Sequence, residues 1–421
     1  MTTVALSELL GATVFDPSGA AGRVREVTLA PQEDRSRISS LIVKTKTGDR
    51  VLPFAAISAI NGGVRAATSS AEWPASNATE GLFLMERDLL DQQVIDVNGR
   101  KVVRVNDVDL EFAAPKNGSP KNAGSANPVL RVYSVDVGAR GAVRRLLRGL
   151  APKSALHALL SRIPPRSIPW EFVDIIETDP ARRVKLKISH DGLAKLHPAD
   201  IADIVEDLAP DEREAVFQTL DEETAAEALE EVEPRVQKAI VESLDSERAA
   251  DIVEEMNPDA AADLLADLSH DKTEQILVQM EPEAQQEVSE LLEHKEGTAA
   301  GQMTTEFLAL PVSAAVQNAI DSLREFEGGV EAVSTIYLVD SHGTLVGAVP
   351  LARIVLAPLT APMLSLTQEP LVLAHQETQE DEVAELFDKY NLQTLPVVDE
   401  HNKLTGVITS DDVISMLRSR L

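Results

Sequence analysis

Carboxylates are the residues of this sequence best able to do chemistry: 69 Asp and Glu stand against 39 Lys and Arg, a net charge of −30 over 421 residues. Such groups hold hard cations, cap helix starts, or keep a surface in water. Other chemistries are poorly supplied. With no cysteine, a disulfide framework, a thiolate metal site and a cysteine nucleophile are excluded, and a reducing, cytoplasmic setting is expected. The eight histidines are scattered, no HExxH or other His-rich ligand spacing occurs, and there is no GxxxxGKS/T phosphate loop. His197 and His190 read as a helix cap and a surface residue, and Trp73 and Trp170 as packing. An enzyme is not expected.

The charge is uneven. Residues 191–300 hold 32 acidic against 7 basic residues, a net −25, so nucleic acid is not an expected partner. Within that stretch Asp259 and Asp263 are four apart in NPDAAADLL, a spacing that places both carboxylates on one helical face at about 6 Å. On an exposed helix such a pair is ordinarily solvating charge. Residues 131–187 run the other way, with 12 basic against 5 acidic residues. Their segment GARGAVRRLLRGLAPKSALHALLSRIPPR (138–166) alternates apolar and basic residues at helical spacing. Docking on an anionic surface, either a partner or the inner membrane leaflet, is one expectation; folding back on the acidic stretch is the other.

The acidic stretch is a repeat. From His197 to Leu292 eight units of twelve residues follow one another, with large apolar residues at the eighth, ninth and twelfth places of nearly every unit. That spacing marks one face of a helix. Pro198, Pro210, Pro234, Pro258 and Pro282 hold the second place, where a first-turn proline loses no helical hydrogen bond. Helices this short are not stable alone, so the units must stack into an α-solenoid.

Two further repeats flank it. LLGATVFDPSGAAGRVREVTL (9–29) and LLDQQVIDVNGRKVVRVNDVDL (89–110) both read as strand, glycine turn, strand, and VLPFAAISAI and SIPWEFVDII close the two copies. This pattern resembles the PRC-barrel domain, a small β module, and the resemblance implies binding or assembly work. PKNGSPKNAGSANP (115–128) has linker composition. At the other end TIYLVDSHGTLVGAVPLARIV (335–355) and TLPVVDEHNKLTGVITSDDVI (394–414) each read strand, turn, strand, helix. They resemble paired cystathionine-β-synthase (CBS) domains, whose clefts often take an adenine nucleotide. That resemblance implies nucleotide contacts from Gly406, Thr409 and Asp412 in the second copy. The first copy has Pro350 and Arg353 at the matching places, so its cleft is expected to lack the ligand. A Thr-x-x-Asp also serves as a plain helix cap.

The acidic solenoid, the linker EGTAAGQMTTEF (296–307) and the two CBS units together resemble, over residues 195–421, the cytosolic half of the MgtE magnesium transporters and channels. In that family magnesium between solenoid and CBS module keeps a pore shut. The resemblance implies metal ligands at Glu227, Asp259 and Asp263 on the solenoid and at Asp412 on the CBS side. Ser415, Arg418 and Arg420 stand where members with a channel carry further acidic residues, which implies fewer ion sites or arginines in place of metal.

The reading is a multidomain α+β protein: a PRC-like β-barrel at 1–62, a second at 80–178, an acidic all-α solenoid at 190–300 and a tandem CBS pair at 301–421. No apolar run approaches the ~20 residues needed to span a bilayer, and the N-terminus lacks a signal peptide's basic start and apolar core. A soluble, cytoplasmic regulatory protein is expected, sensing Mg2+ and an adenine nucleotide such as ATP or AMP. It is expected to dimerise through the CBS pair and to act on a membrane transporter or another protein. The rival readings are a scaffold without sensing and a CBS sensor of nucleotide alone.

Overall fold

The structure, a computed structural model, describes residues 3–30, 34–60, 62–76, 82–113, 129–147, 159–177, 179, 181, 190–295, 297–326, 333–367 and 369–419. The 115–128 linker, Arg148 and Arg420 lie outside the described residues, as does the side chain of Arg418. The chain divides into two compact units, Met1–Glu233 and Pro234–Leu421.

The first unit begins with two copies of one β plan. The first has β1 (Thr3–Ala5), a one-turn helix α1 (Leu6–Leu9), β2 (Thr13–Asp16), β3 (Gly19–Leu29), β4 (Ile38–Thr45), β5 (Gly48–Pro53), β6 (Ile57–Ile60) and β7 (Val64–Ala66). The second has β8 (Phe83–Leu84), α2 (Met85–Asp88), β9 (Gln93–Asp96), β10 (Lys101–Arg104), β11 (Asp107–Ala113), β12 (Val129–Asp136), β13 (Ser167–Pro169) and β14 (Val173–Ile175). The copies exchange their first strands. β1 pairs antiparallel with β11 of the second copy, and β8 pairs with β3 of the first. One continuous apolar core results, running from Leu6 and Leu9 through Leu41 and Trp73 to Val135 and Ile168.

Each exchanged helix is held at its start by a buried carboxylate of the other copy. Asp107, fully buried, accepts from the Ser7 N–H at 3.1 Å and the Ser7 hydroxyl at 2.5 Å. Glu26, 7% exposed, accepts from the N–H groups of Glu86 at 2.8 Å and Arg87 at 3.3 Å. Both stand at the same place in EVTL and DVDL. Free N–H groups of a first turn favour an anion there. A buried carboxylate needs more than that, and the second copy supplies it from the basic segment. Helix α3 (Ala139–Leu146) brings Arg144 to Asp107 at 2.5 Å and to Asp109 at 3.1 Å, and Arg145 pairs with Asp91. The basic helix therefore turns these two arginines onto its own β module, which neither sequence expectation foresaw. Among the described residues Glu26 has no such guanidinium hydrogen bond, and burial raises its pKa.

The solenoid follows its twelve-residue phase. In the first unit α4 (Pro198–Glu206), α5 (Pro210–Phe217) and α6 (Glu222–Glu231) each begin at the second place of a repeat. So do α7 (Pro234–Ser243), α8 (Ser246–Glu254), α9 (Pro258–Asp267), α10 (His270–Gln279) and α11 (Pro282–Leu292) in the second unit. The eighth-place residues, from Ile204 and Val216 to Ile276 and Val288, are all at most 4% exposed. His190, expected at the surface, is 2% exposed, with Nδ1 3.2 Å from Asp174 Oδ1 on β14. Its place beside a strand carboxylate of the second β copy is a tertiary contact that local sequence does not announce.

In the second unit α12 (Val316–Arg324), α13 (Leu351–Leu356), α14 (Glu380–Tyr390) and α15 (Ser410–Ser419) accompany two matching three-stranded sheets. These are β15 (Ala309–Pro311), β16 (Thr335–Val339) and β17 (Leu345–Pro350), and β18 (Ala374–His375), β19 (Thr394–Val398) and β20 (Leu404–Thr409). Tyr337, Leu345, Val398 and Val407 close an apolar seam between the halves, and the Tyr337 hydroxyl donates to Thr394 Oγ1 at 2.8 Å. Among the described residues no helix is long and apolar enough to cross a membrane.

The exchange makes a stability prediction. Asp107→Ala strands Arg144 and the start of α1, and should cost the first unit about 3 kcal/mol. Glu26→Ala, which strands backbone N–H groups only, should cost about 1–2 kcal/mol. Urea unfolding read by Trp73 and Trp170, both in this unit, measures the difference; equal losses would deny Arg144 its role.

Candidate functional site

The site belongs to the second unit and starts from a helix cap. Thr409 ends β20 and stands immediately before α15. The Asp412 carboxylate accepts from the Thr409 N–H at 2.9 Å and from its hydroxyl at 2.5 Å. The Asp412 side chain thus supplies one half of a capping box, reaching back to the residue before a helix that starts at Ser410. The same carboxylate is pressed toward protonation. Burial, and next to it the charge of Asp259, push its pKa up to about 7, against the lowering effect of the Thr409 hydrogen bonds. A solenoid carboxylate on α9 and a CBS carboxylate on α15 are therefore close enough to repel.

Asp259 and Asp263 line one small cavity of about 80 Å³ together with Leu291, His294, Ala300 and Met303. That is room for a few waters. Asp259 is half-buried and Asp263 exposed, so the four-residue spacing does put both carboxylates toward one opening. Among the described residues no three carboxylate or imidazole groups converge as a metal cluster. Magnesium does not require one: it keeps several of its waters and takes one or two carboxylates. The donor set fits an ion held loosely, with water completing its shell. Glu227 lies on α6 of the first unit, exposed.

The floor of the cavity is the linker. Ala299 and Ala300 donate to the carbonyls of Thr378 at 2.7 Å and Gln376 at 3.0 Å, and Thr304 and Val407 exchange backbone hydrogen bonds of 2.8 and 2.9 Å. Residues 297–304 are thereby laid along the second CBS half. Gly406 lets them approach: a Cβ there would meet Met303 at 2.6 Å and the Thr304 carbonyl at 2.9 Å. Gly406, read from sequence as a nucleotide contact, is covered by Met303 in this structure. The first half repeats the device with Gly347 against Thr367, where an added Cβ would stand 2.5 Å from Thr367 Cγ2. There Arg353 donates to the carbonyls of Leu366 at 3.1 Å and Thr367 at 2.7 Å, so its guanidinium holds the matching linker. Met303 and His294 were missed in the sequence because neither has a chemical signature; only the close approach demanded by Gly406 could have pointed to Met303.

The raised Asp412 pKa sets the sign of a pH effect. Folding favours the protonated carboxyl, so this group's contribution declines as pH climbs from about 4 through 7. Asp412→Asn, which mimics the protonated form, should be more stable than the unchanged protein at pH 8 by about 2 kcal/mol, half the full linkage value because the group is only partly buried. The gain should vanish near pH 4. Thermal unfolding at the two pH values checks this, and a gain that persists at pH 4 would place the effect elsewhere.

Comparison with known proteins agrees with this geometry. Residues 196–297 match the MgtE intracellular N domain and residues 365–419 the CBS domain. The magnesium transporter MgtE of Thermus thermophilus is 32% identical over 133 residues, which are 32% of this chain and 30% of that protein. The chain thus covers less than a third of this relative. The crystal structure of the cytosolic domain of the Mg2+ channel MgtE in complex with ATP is 29% identical, has a TM-score of 0.51, and is matched over 53% of this chain and 92% of that one. The soluble part of a magnesium transporter, 24% identical with a TM-score of 0.51 over 57% of this chain and 92% of its own, shows the same fold. From residue 196 on, this chain is therefore built from an MgtE intracellular N domain and CBS modules, and is homologous to the cytosolic region of the MgtE magnesium transporters.

Proposed function

We propose that the protein is a cytoplasmic regulatory protein that senses Mg2+, with an adenine nucleotide as a second ligand, and controls a partner such as a cation transporter. The observation that carries this is the approach of Asp259 to the partly buried Asp412, which adds to the effect of burial in pushing the Asp412 pKa up to about 7, together with the small water-sized cavity that Asp259 and Asp263 line. A divalent cation relieves that repulsion directly. Asp259 and Asp263 on α9 and Asp412 on α15 are the ligands of this reading, with waters filling the remaining positions. With so few carboxylates the site would be weak, suited to free cytosolic magnesium. Nucleotide binding would use Thr409 and Asp412, so the two ligands would be thermodynamically linked through Asp412. The relative solved with ATP supports that second ligand; Met303 over Gly406 and the capped Asp412 are what a nucleotide would have to rearrange.

The two β copies are taken as PRC-barrel-like modules at 1–62 and 80–178, followed by the solenoid at 190–300 and the CBS pair at 301–421. Val355 and Leu356 after β17 and Ile414 and Leu417 on α15 are exposed, at 80%, 86%, 64% and 46%, which supports a homodimer through the CBS pair. Contact with an anionic membrane through 138–166 would have to do without Arg144 and Arg145, which face Asp107, Asp109 and Asp91.

Calorimetric titration with MgCl2 tests the sensing reading. Binding should weaken as pH falls below about 7, approaching tenfold per pH unit where one proton is displaced. Asp259→Asn with Asp263→Asn should weaken binding at least tenfold and leave the helical circular dichroism unchanged; Glu227→Gln, in the first unit, tests the fourth candidate in the same way. Binding that ignores both pH and these changes would exclude this site. ATP or AMP should bind once per chain and be lost in Asp412→Ala, and heat released with nucleotide but none with magnesium would favour the nucleotide sensor.

A further inference from the structure

Within the first unit, the second β copy is joined to the start of the solenoid at several points that serve neither the β core nor the helical stack. Arg100, in a turn with φ of 49°, donates to Asp200 on α4 at 3.0 Å. The Gln93 amide on β9, in the orientation that satisfies both groups, donates to Glu212 on α5 at 2.9 Å. Between them the chain passes through His190 and Gly192. His190 is buried against Asp174 on β14, the strand paired with β9. A Cβ on Gly192 would lie 3.3 Å from Val97 Cγ2 and 3.7 Å from Asp174 Oδ2. Leu193, the next residue, is fully buried.

We propose that this junction is a rigid coupling, which makes the β pair an output arm that moves with the first solenoid helices. Three features separate it from an ordinary linker. A flexible tether between independent domains is exposed and makes few contacts across, whereas here His190 and Leu193, shortly before α4, are buried. The compact unit extends from Met1 to Glu233, so the β copies and the first three solenoid helices cohere as one body. The His190 imidazole and the Asp174 carboxylate also lie 3.2 Å apart in the interior, packed against each other without a hydrogen bond to the imidazole nitrogens, so that separating the two segments would open a buried polar contact. The exposed Arg100–Asp200 pair adds little stability and acts by fixing orientation.

This inference deepens the sensing reading, since an arm is useful only if the solenoid responds to a ligand, but the first arm of its test needs no ligand. Hydrogen exchange on the full chain should give the amides of β9 and β14 and those of α4 opening rates within about threefold of each other, as parts of one cooperative unit. Gly192→Leu should separate them by tenfold or more, with both segments still protected. If Gly192→Leu does not fold, Asp174→Leu, which removes the carboxylate beside His190, is the second variant, and Asp174→Leu with His190→Leu should draw the rates together again. Exchange of α4 at least tenfold faster than β9 in the unchanged protein overturns the coupling. Magnesium then distinguishes the readings: slowing of both segments supports arm and sensor together. Slowing of α4 alone sinks the arm, and no slowing of either, with rates still matched and no heat of magnesium binding, sinks the sensing reading while the coupling stands.

Discussion

Every twelve residues the solenoid starts a new helix, and every start presents backbone N–H groups that the helix itself cannot satisfy. Helices of eight to eleven residues have little stability of their own, so stacking and capping must be solved anew in each repeat. Much of the acidity follows from that constraint. Asp221 and Asp245 accept from the N–H groups of Thr224 and Arg248 at 3.0 Å, and Glu212 takes the Ala209 N–H at 2.9 Å. Glu206 reaches a later repeat to accept from Glu233 at 2.8 Å, and Glu254 does the same for Glu281. The few lysines answer at the other polarity: Lys272 donates to the Leu244 carbonyl at 2.6 Å, and Lys238 to that of Asp267. These carboxylates meet donors at helix starts and these two lysines meet carbonyls at helix ends, as helix polarity favours, whereas Glu206, Glu231, Glu254 and Asp267 end their own helices.

Capping does not account for Asp259 and Asp412 together. Asp412 caps α15 and would do so without a neighbour; it is the approach of a second carboxylate, with burial, that lifts its pKa toward neutrality. An arrangement that stability alone would have avoided is the kind that marks a functional site. The linker residues Ala300, Gly301 and Met303 enclose the same cavity, held there by backbone pairing to the second CBS half. The cavity is thus lined by the linker and by solenoid residues on α9 and at the end of α11, and the second CBS half shapes it by holding the linker in place.

How much of this could be read from the sequence depended on the range of the interaction. The twelve-residue phase reports contacts along and between neighbouring helices, and every helix of the solenoid begins where its proline or capping residue falls. The strand–turn–strand–helix plan of 335–355 and 394–414 was legible for the same reason. What local pattern could not supply was the choice of distant partner. β1 and β8 look like the first strands of their own modules and pair in each other's. His190 has the look of a solvated residue and is buried by a strand some sixteen residues earlier in the chain. The arginines of α3 are amphipathic by spacing, yet the carboxylate that claims Arg144 is dictated by Ser7, a hundred residues before Asp107.

In each duplication one copy carries a guanidinium contact and the other meets a different set of partners at the matching place. In the β pair, Asp107 gained Arg144 while Glu26 kept backbone donors alone. In the CBS pair, Arg353 ties its half to the carbonyls of Leu366 and Thr367, while the matching place in the other half holds Asp412. A guanidinium remains charged throughout the accessible pH range and bonds to carbonyls without change. The half that contains it is therefore fixed in one electrostatic state. A carboxylate near neutrality is not, since proton or cation can occupy it at small free-energy difference. Within the CBS pair one half thus has the Arg353 guanidinium bound to carbonyls in a single charge state, while the matching place in the other half holds a carboxyl that burial and the charge of Asp259 push up to about 7.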